Sequence, residues 1–166
     1  MAVTSGDTLP LVTVAISCYN HAAYVQESIL SVLQQNYPAI ELLVFDDGSR
    51  DDSAEIIRKL ADEYGFYFRA QKNQGLSATL NQALAQAKGE YFIPFGSDDI
   101  MMLDRVSRQI AYMRRHTDFG ACGGNVLNID PAGKVLARQR INGEAVQEFK
   151  HVLLDIGPGI AAPTMF

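Results

Sequence analysis

Two stretches decide the fold: Ile40-Glu41-Leu42-Leu43-Val44-Phe45-Asp46-Asp47-Gly48-Ser49 and Tyr91-Phe92-Ile93-Pro94-Phe95-Gly96-Ser97-Asp98-Asp99. In each, a short apolar run ends in a polar turn that carries two adjacent aspartates. Runs of this length bounded by turn residues read as buried strands, Ile40 to Phe45 and Tyr91 to Phe95. If both belong to one parallel sheet, the four carboxylates come out at its carboxyl edge, where open α/β sheets bind ligands. Four acids gathered there repel one another and any phosphate. They make sense facing a divalent cation, a base or a ribose hydroxyl.

Outward from these strands the chain alternates. Leu11 to Ser17 is a first apolar strand, and Val25, Ile29, Val32 and Leu33 mark one buried stripe of a helix. Asn36-Tyr37-Pro38 stops it, because the residue before proline avoids the helical region. After Asp47-Gly48-Ser49, Asp52 and Glu55 read as a capping box for a helix that buries Ile56, Ile57, Leu60 and Tyr64. Phe66 to Ala70 is a shorter strand and Asn73-Gln74-Gly75 a loop. Leu76, Leu80, Ala83, Leu84 and Ala87 form the stripe of a third helix, closed by Gly89 in the usual glycine position. Val106, Ile110 and Met113 mark a fourth helix, and Phe119 to Val126 a fifth strand. Asp130-Pro131-Ala132-Gly133 is a turn joining a hairpin of Val126 to Ile129 and Lys134 to Ala137. A helical segment, Glu144 to Leu154, and a Gly157-Pro158-Gly159 loop follow. The alternation predicts an α/β domain with a mostly parallel sheet. Met1 to Pro10 reads as a flexible lead and 11–166 as one domain, truncated at its C-terminal end.

A chain of 166 residues can bury one sizeable core. Its net charge of -5 and lack of a Lys/Arg cluster argue against a nucleic-acid partner. Arg114-Arg115 fits the last turn of a helix. Cys18 and Cys122 sit in apolar surroundings and read as reduced thiols. No apolar run approaches the roughly 18 residues of a membrane span, and Met1 to Pro10 lacks a signal-peptide pattern. The default location is cytoplasmic, or peripheral to the inner face of the membrane.

Three constellations carry candidate chemistry. In Ser17-Cys18-Tyr19-Asn20 a tyrosine at a strand-to-helix turn can stack on a planar base, or simply pack on the next helix while Asn20 makes a turn. In Asp46-Asp47-Gly48-Ser49 the acids can serve a ligand or bond the local backbone. In Gly96-Ser97-Asp98-Asp99 two carboxylates offer oxygen ligands suited to Mg²⁺ or Mn²⁺. Helix capping is the plainer explanation of that turn, but Asp104 is better placed for it. His21, His116 and His151 lie far apart without metal-ligand spacing, and His116 fits a helix end. Met101 and Met102 read as core or pocket wall. No glycine follows the first strand, which weighs decisively against a P-loop or Rossmann dehydrogenase turn.

Val12 to Asn20, Ser28 to Tyr37 and Glu41 to Asp52 resemble the N-terminal half of family-2 glycosyltransferases of the GT-A fold. Asn73 through Gly75 and Asn81 to Gly89-Glu90-Tyr91, ending at Ser97-Asp98-Asp99, is similar to that family's second block. The resemblance covers residues 11 to about 110 and implies a GT-A, Rossmann-like α/β/α sandwich. It implies a nucleotide-diphospho-sugar donor, UDP-linked by family frequency, and transfer with inversion to a hydroxyl of a saccharide or lipid-linked acceptor. Such a role belongs to polysaccharide or cell-envelope synthesis. The donor set it implies is Ser17, Tyr19, Asn20, Asp46, Asp47, Gly75 and Asp98. Tyr19 would stack on the base and Asp46 accept from it. Asp99, with Asp98, would hold Mn²⁺ or Mg²⁺.

The chain departs from the family pattern in three places. Gly96 stands where many members carry an aspartate, and Ala78-Thr79-Leu80 lacks an arginine often found there. The catalytic base is expected beyond Phe166, since Asp155 does not fit its motif; on that reading the chain binds donor without fast transfer. Two other classes use paired acids and metal, a nucleotidyltransferase and a receiver-like module. The first lacks its glycine-rich loop here, and the second its lysine after the fifth strand.

Overall fold

The computed structural model describes residues 8–139, with Gln139 described by its backbone alone. Strands β1 (Val12–Cys18), β2 (Ile40–Asp46), β3 (Tyr67–Ala70) and β4 (Tyr91–Gly96) form one parallel sheet in the order β3-β2-β1-β4. Helices α1 (Val25–Leu33), α2 (Ser53–Tyr64), α3 (Leu76–Gln86) and α4 (Arg105–Met113) connect or follow them. A hairpin of β5 (Val126–Ile129) and β6 (Val135–Gln139) pairs separately. The chain steps outward from β1 to β2 and β3, then returns to the other side of β1 as β4. That reversal opens a crevice at the carboxyl end of β1.

The pleat sends alternate residues of each strand to opposite faces. Val12, Val14, Ile16, Cys18, Leu42, Val44, Ile93 and Phe95 build the main core with Val25, Ile29 and Val32 of α1, Ile57 of α2 and Val106 and Ile110 of α4. Ala15, Leu43 and Phe45 face the other way, against Ala83 of α3. The result is an α/β/α sandwich with one thick and one thin layer.

Five local expectations need correction. Phe119 to Val126 does not extend the sheet, and the only strand in that region starts at Val126. Three glycines within it (Gly120, Gly123, Gly124) weaken a strand. Asp52 occupies the N-cap of α2 but its side chain makes no capping bond. Asp51 instead accepts from the Ser53 backbone N–H at 3.1 Å, and Glu55 pairs with Lys59. Tyr64 is exposed. On α3 the buried residues are Thr79 and Ala83, while Leu76 and Leu84 are 63% and 55% exposed. Small side chains let α3 lie close to the sheet, which turns the leucines outward. Gly89 does not close α3 with a left-handed residue. It lies against β1, where an added Cβ would fall 2.5 Å from the Thr13 backbone nitrogen.

The hairpin forms as expected, with the Gly133 N–H donating to the Asp130 carbonyl at 2.8 Å across its turn. Met101 is core but Met102 is exposed. Just beyond α4, His116 stacks with Tyr112 and with Phe119, whose rings also lie 6.3 Å apart. Cys18 is buried, Cys122 half-buried, and both are free thiols. The helical segment expected at Glu144 to Leu154, the Gly157-Pro158-Gly159 loop, Asp155 and His151 lie outside the described residues.

Candidate functional site

The strand register brings the two acidic turns to either side of one strand. Cys18 pairs with Asp46 on β2, and Ser17 pairs with Gly96 on β4. The ends of β2 and β4 are therefore two strand spacings apart, about 10 Å, with the end of β1 between them. The Asp47 N–H donates to the Cys18 carbonyl at 2.8 Å, continuing the β1–β2 ladder past the strand end.

Beyond β1, Tyr19 is 42% exposed. Asn20 adopts φ 56°, a left-handed conformation that asparagine tolerates better than most residues. Its side-chain oxygen accepts the Arg50 N–H at 2.8 Å and its own N–H donates to the Ser49 hydroxyl at 2.9 Å. Asn20 thus fixes the β1 turn to the turn after β2.

Asp46 and Asp47 are both 2% exposed, yet they serve opposite faces. Asp46 shares the parity of Val44 and Cys18 and lies toward the α1 and α2 side. One of its oxygens accepts the Ser49 N–H at 3.0 Å, and the other is buried without a partner among the described residues. Asp47 turns to the α3 side, the side to which the pleat assigns Ser17. Its Oδ1 accepts from the Gln71 amide at 3.0 Å and the Gln74 N–H at 2.9 Å, and its Oδ2 from the Gly75 N–H at 2.8 Å. Burial alone would raise the Asp47 pKa. These hydrogen bonds, with the Thr79 hydroxyl, outweigh burial and hold it below the ordinary carboxylate value. Gly75 has φ 87° and ψ 157°, a region open essentially to glycine. The structure therefore brings Ser17, Asp47 and Gly75 together and turns Asp46 away from them. The pleat, which separates neighbours along a strand, is the reason.

At the end of β4 the chain folds back so that both carboxylates lean over Gly96. A Cβ there would meet Asp99 Oδ2 at 2.5 Å and Asp98 Oδ1 at 3.1 Å. Asp98 is exposed and Asp99 half-buried. Burial first, and then the neighbouring Asp98 charge, raises the Asp99 pKa, while Arg105 opposes the shift. Arg105 lies over the Phe95 ring at 5.4 Å, and burial brings its own pKa down to about 10. Two hard oxygen donors packed side by side, one made costly by desolvation and repulsion, fit a bound Mg²⁺ or Mn²⁺. Among the described residues no group of three or more His, Cys, Asp or Glu is placed to hold a metal ion by itself. Such an ion would take its remaining ligands from water and a phosphate-bearing ligand.

Sequence reasoning missed what holds this turn in place. Helix α1 and the turn that follows it carry a buried polar row, Ser28 and Ser31 and then Gln35, beside the apolar stripe. Ser28 donates to the Gly96 carbonyl at 2.9 Å, and Ser31 accepts the Met101 N–H at 2.9 Å. The Gln35 amide donates to the Met102 carbonyl at 2.8 Å and accepts the Val106 N–H at 3.2 Å. The available signal was polar residues at i, i+3 and i+7 on an otherwise apolar face, a pattern that places them in the core.

The acids and an exposed tyrosine thus gather around the topological switch point of a parallel α/β sheet, the place where open sheets of this kind bind ligands. The chain belongs to Glycosyl transferase family 2, whose sequence profile matches residues 13–159. It is 37% identical over 136 residues to an uncharacterized glycosyltransferase of Haemophilus influenzae, covering 76% of this chain and 54% of that one. It is 31% identical over 120 residues to the poly-beta-1,6-N-acetyl-D-glucosamine synthase of Staphylococcus aureus, covering 72% and 29%. A mannosyltransferase of Pyrobaculum calidifontis, solved with GDP-Man and Mn²⁺, superposes with TM-score 0.63 at 25% identity over 72% of this chain and 36% of that chain. S. aureus TarS 1-349 with UDP-GlcNAc gives TM-score 0.57 at 23% identity over 83% and 37%, a likeness of fold. The fold is GT-A. This chain spans about half the length of its Haemophilus relative and less of the others. Family membership sets aside the nucleotidyltransferase and receiver-like alternatives.

Proposed function

We propose that the protein takes part in transferring a sugar from a nucleotide-diphosphate donor, UDP-linked in the first instance, to a hydroxyl of a saccharide or lipid-linked acceptor. The observation that carries the reading is the pair Asp98 and Asp99 folded over Gly96, one strand away from the exposed Tyr19. The base of the donor stacks on Tyr19, with Ser17 beside it. Asp47, rather than Asp46, stands on their face, and through Gly75 it also holds the loop that borders the base. Asp46 and Asn20 act by fixing the two turns. Asp98 reaches the ribose or the ion, and Asp99 the ion.

In the reaction the acceptor oxygen attacks the anomeric carbon and loses its proton to a base. The bond from that carbon to the diphosphate oxygen breaks, and the nucleoside diphosphate leaves with the electron pair. Attack opposite the leaving group inverts the sugar carbon. A Mg²⁺ or Mn²⁺ held at Asp98 and Asp99 would supply Lewis-acid stabilisation of the departing diphosphate, a contribution of several kcal/mol. The chain's own residues orient the donor and keep the two carboxylates in place. None of the described carboxylates is assigned the role of base. The Mn²⁺-bound mannosyltransferase relative supports metal dependence, and the synthase relative supports a role in polysaccharide synthesis. Among the described residues no helix is long and apolar enough to cross a membrane.

Calorimetric titration with UDP, GDP and dTDP, each with and without Mn²⁺, tests the proposal. Saturable binding of UDP that strengthens with Mn²⁺ is expected. Absence of binding by every nucleotide would overturn it, and a preference for GDP would overturn the choice of donor alone.

A further inference from the structure

The crevice has a hub that the proposed donor contacts leave unused. His21 Nδ1 and the Ser97 hydroxyl lie 2.7 Å apart and share a hydrogen bond. Ser97 is 1% exposed and directly precedes Asp98. The His21 backbone N–H donates to the hydroxyl of Ser53, the first residue of α2, at 3.0 Å. The His21 carbonyl accepts the Tyr24 and Val25 N–H groups, both at 2.9 Å, where α1 begins. The imidazole also meets the Tyr24 ring edge-on, with centroids 6.3 Å apart. One residue after Asn20 and two after Tyr19, His21 therefore joins the β1 turn to the turn that carries Asp98 and Asp99. Its backbone is fixed by α1 and α2, which leaves its ring as a rigid strut across the switch point.

We propose that His21 is a positioning residue for the Asp98-Asp99 pair, acting through Ser97. The turns after the neighbouring strands β1 and β4 are joined by side chains at this level, because the ladder between the two strands ends at Ser17 and Gly96. The His21–Ser97 bond sets the spacing between the base end of the crevice and its cation end. A ligand that touches both ends, such as UDP with Mn²⁺, needs that spacing. A ligand that touches one end, such as uridine, does not. This inference rests on the donor-site reading above.

The test measures two affinities in the full chain: uridine without metal, and UDP with Mn²⁺. In His21→Leu, UDP–Mn²⁺ binding should weaken about 3- to 10-fold, the size of one net hydrogen bond, with uridine binding unchanged. His21→Asn, whose amide can occupy the place of Nδ1, should restore most of the loss. Ser97→Ala should reproduce His21→Leu, and the double variant should be no worse than either single one. Thermal midpoints recorded alongside separate a general loss of stability, which would weaken both ligands equally. Wild-type affinity for UDP–Mn²⁺ in both His21→Leu and Ser97→Ala would overturn the inference. So would equal losses for uridine and UDP–Mn²⁺. If the wild-type chain bound neither ligand, the donor-site reading itself would fall instead.

Discussion

Gly96 lies directly beneath the carboxylate of Asp99, so closely that a methyl group at its Cα would sit 2.5 Å from Asp99 Oδ2. The absence of a side chain at Gly96 is what lets Asp98 and Asp99 lie side by side. Gly96 is not among the positive-φ glycines, so alanine suits its backbone and disturbs only the acids. Gly96→Ala should weaken Mn²⁺-dependent UDP binding by about tenfold, near 1.4 kcal/mol, with little change in the unfolding midpoint. Calorimetry and a thermal melt on the same sample decide it.

The bond from the Gly75 N–H to Asp47 makes loop 71–75 depend on an ionised buried carboxylate. Asp47→Asn presents an amide donor to donors and should cost about 1–3 kcal/mol in denaturant unfolding. The folded pKa of Asp47 lies below its ordinary value, so its stabilisation is complete above that value, about 3.9. It is lost as pH falls through the lower, folded-state value. Wild-type stability should drop across that acid window, and the Asn variant should show a shallower drop.

Gln35, just past the end of α1, bonds the Ser31 carbonyl of that helix and uses both ends of its amide to hold the segment after the acidic pair. Gln35→Leu keeps the volume but strands the Val106 N–H and leaves the Met102 carbonyl with the Arg105 N–H as its remaining donor. A loss of about 1–3 kcal/mol in stability is expected, together with weaker UDP–Mn²⁺ binding when measured well below the melting point. Gln35→Glu should keep the bond from the Val106 N–H and recover part of both.

Gly89 tests the opposite end of the sheet. Its N–H donates to the Thr13 hydroxyl at 2.9 Å, and Thr13 in turn donates to Glu41 at 2.6 Å. Gly89→Ala would push a methyl into the β1 backbone and should cost about 1–3 kcal/mol. Nucleotide affinity of the folded fraction should stay at the wild-type value, because the perturbation lies at the far end of β1.

Much of the architecture was legible because buried parallel strands announce themselves as apolar runs ending in polar turns. Ile40 to Phe45 and Tyr91 to Phe95 each came out within one residue of the observed strand. The α3 stripe misled because the sheet selects small residues for close contact. Thr79 and Ala83 won the buried face over Leu76 and Leu84, and hydrophobicity alone gives no hint of this. Gly89 misled for a related reason: a glycine after a helix can serve a turn or a close approach, and only the Thr13 neighbour shows which. At the site, the paired acids stood out, but their division between two faces depends on where β2 ends. The His21–Ser97 bond spans 76 positions in the chain and leaves no local trace.

The most direct measurement is a crystal structure of the protein soaked with UDP and Mn²⁺, with the anomalous signal of manganese recorded. A manganese peak is expected within bonding distance of Asp99, with the diphosphate beside it and the uracil on the Tyr19 ring. A nucleotide seated elsewhere would contradict it, for example in the cavity of about 720 Å³ lined by Tyr37, Glu41, Tyr64 and Lys88 at the other end of the sheet. So would manganese bound away from Asp98 and Asp99.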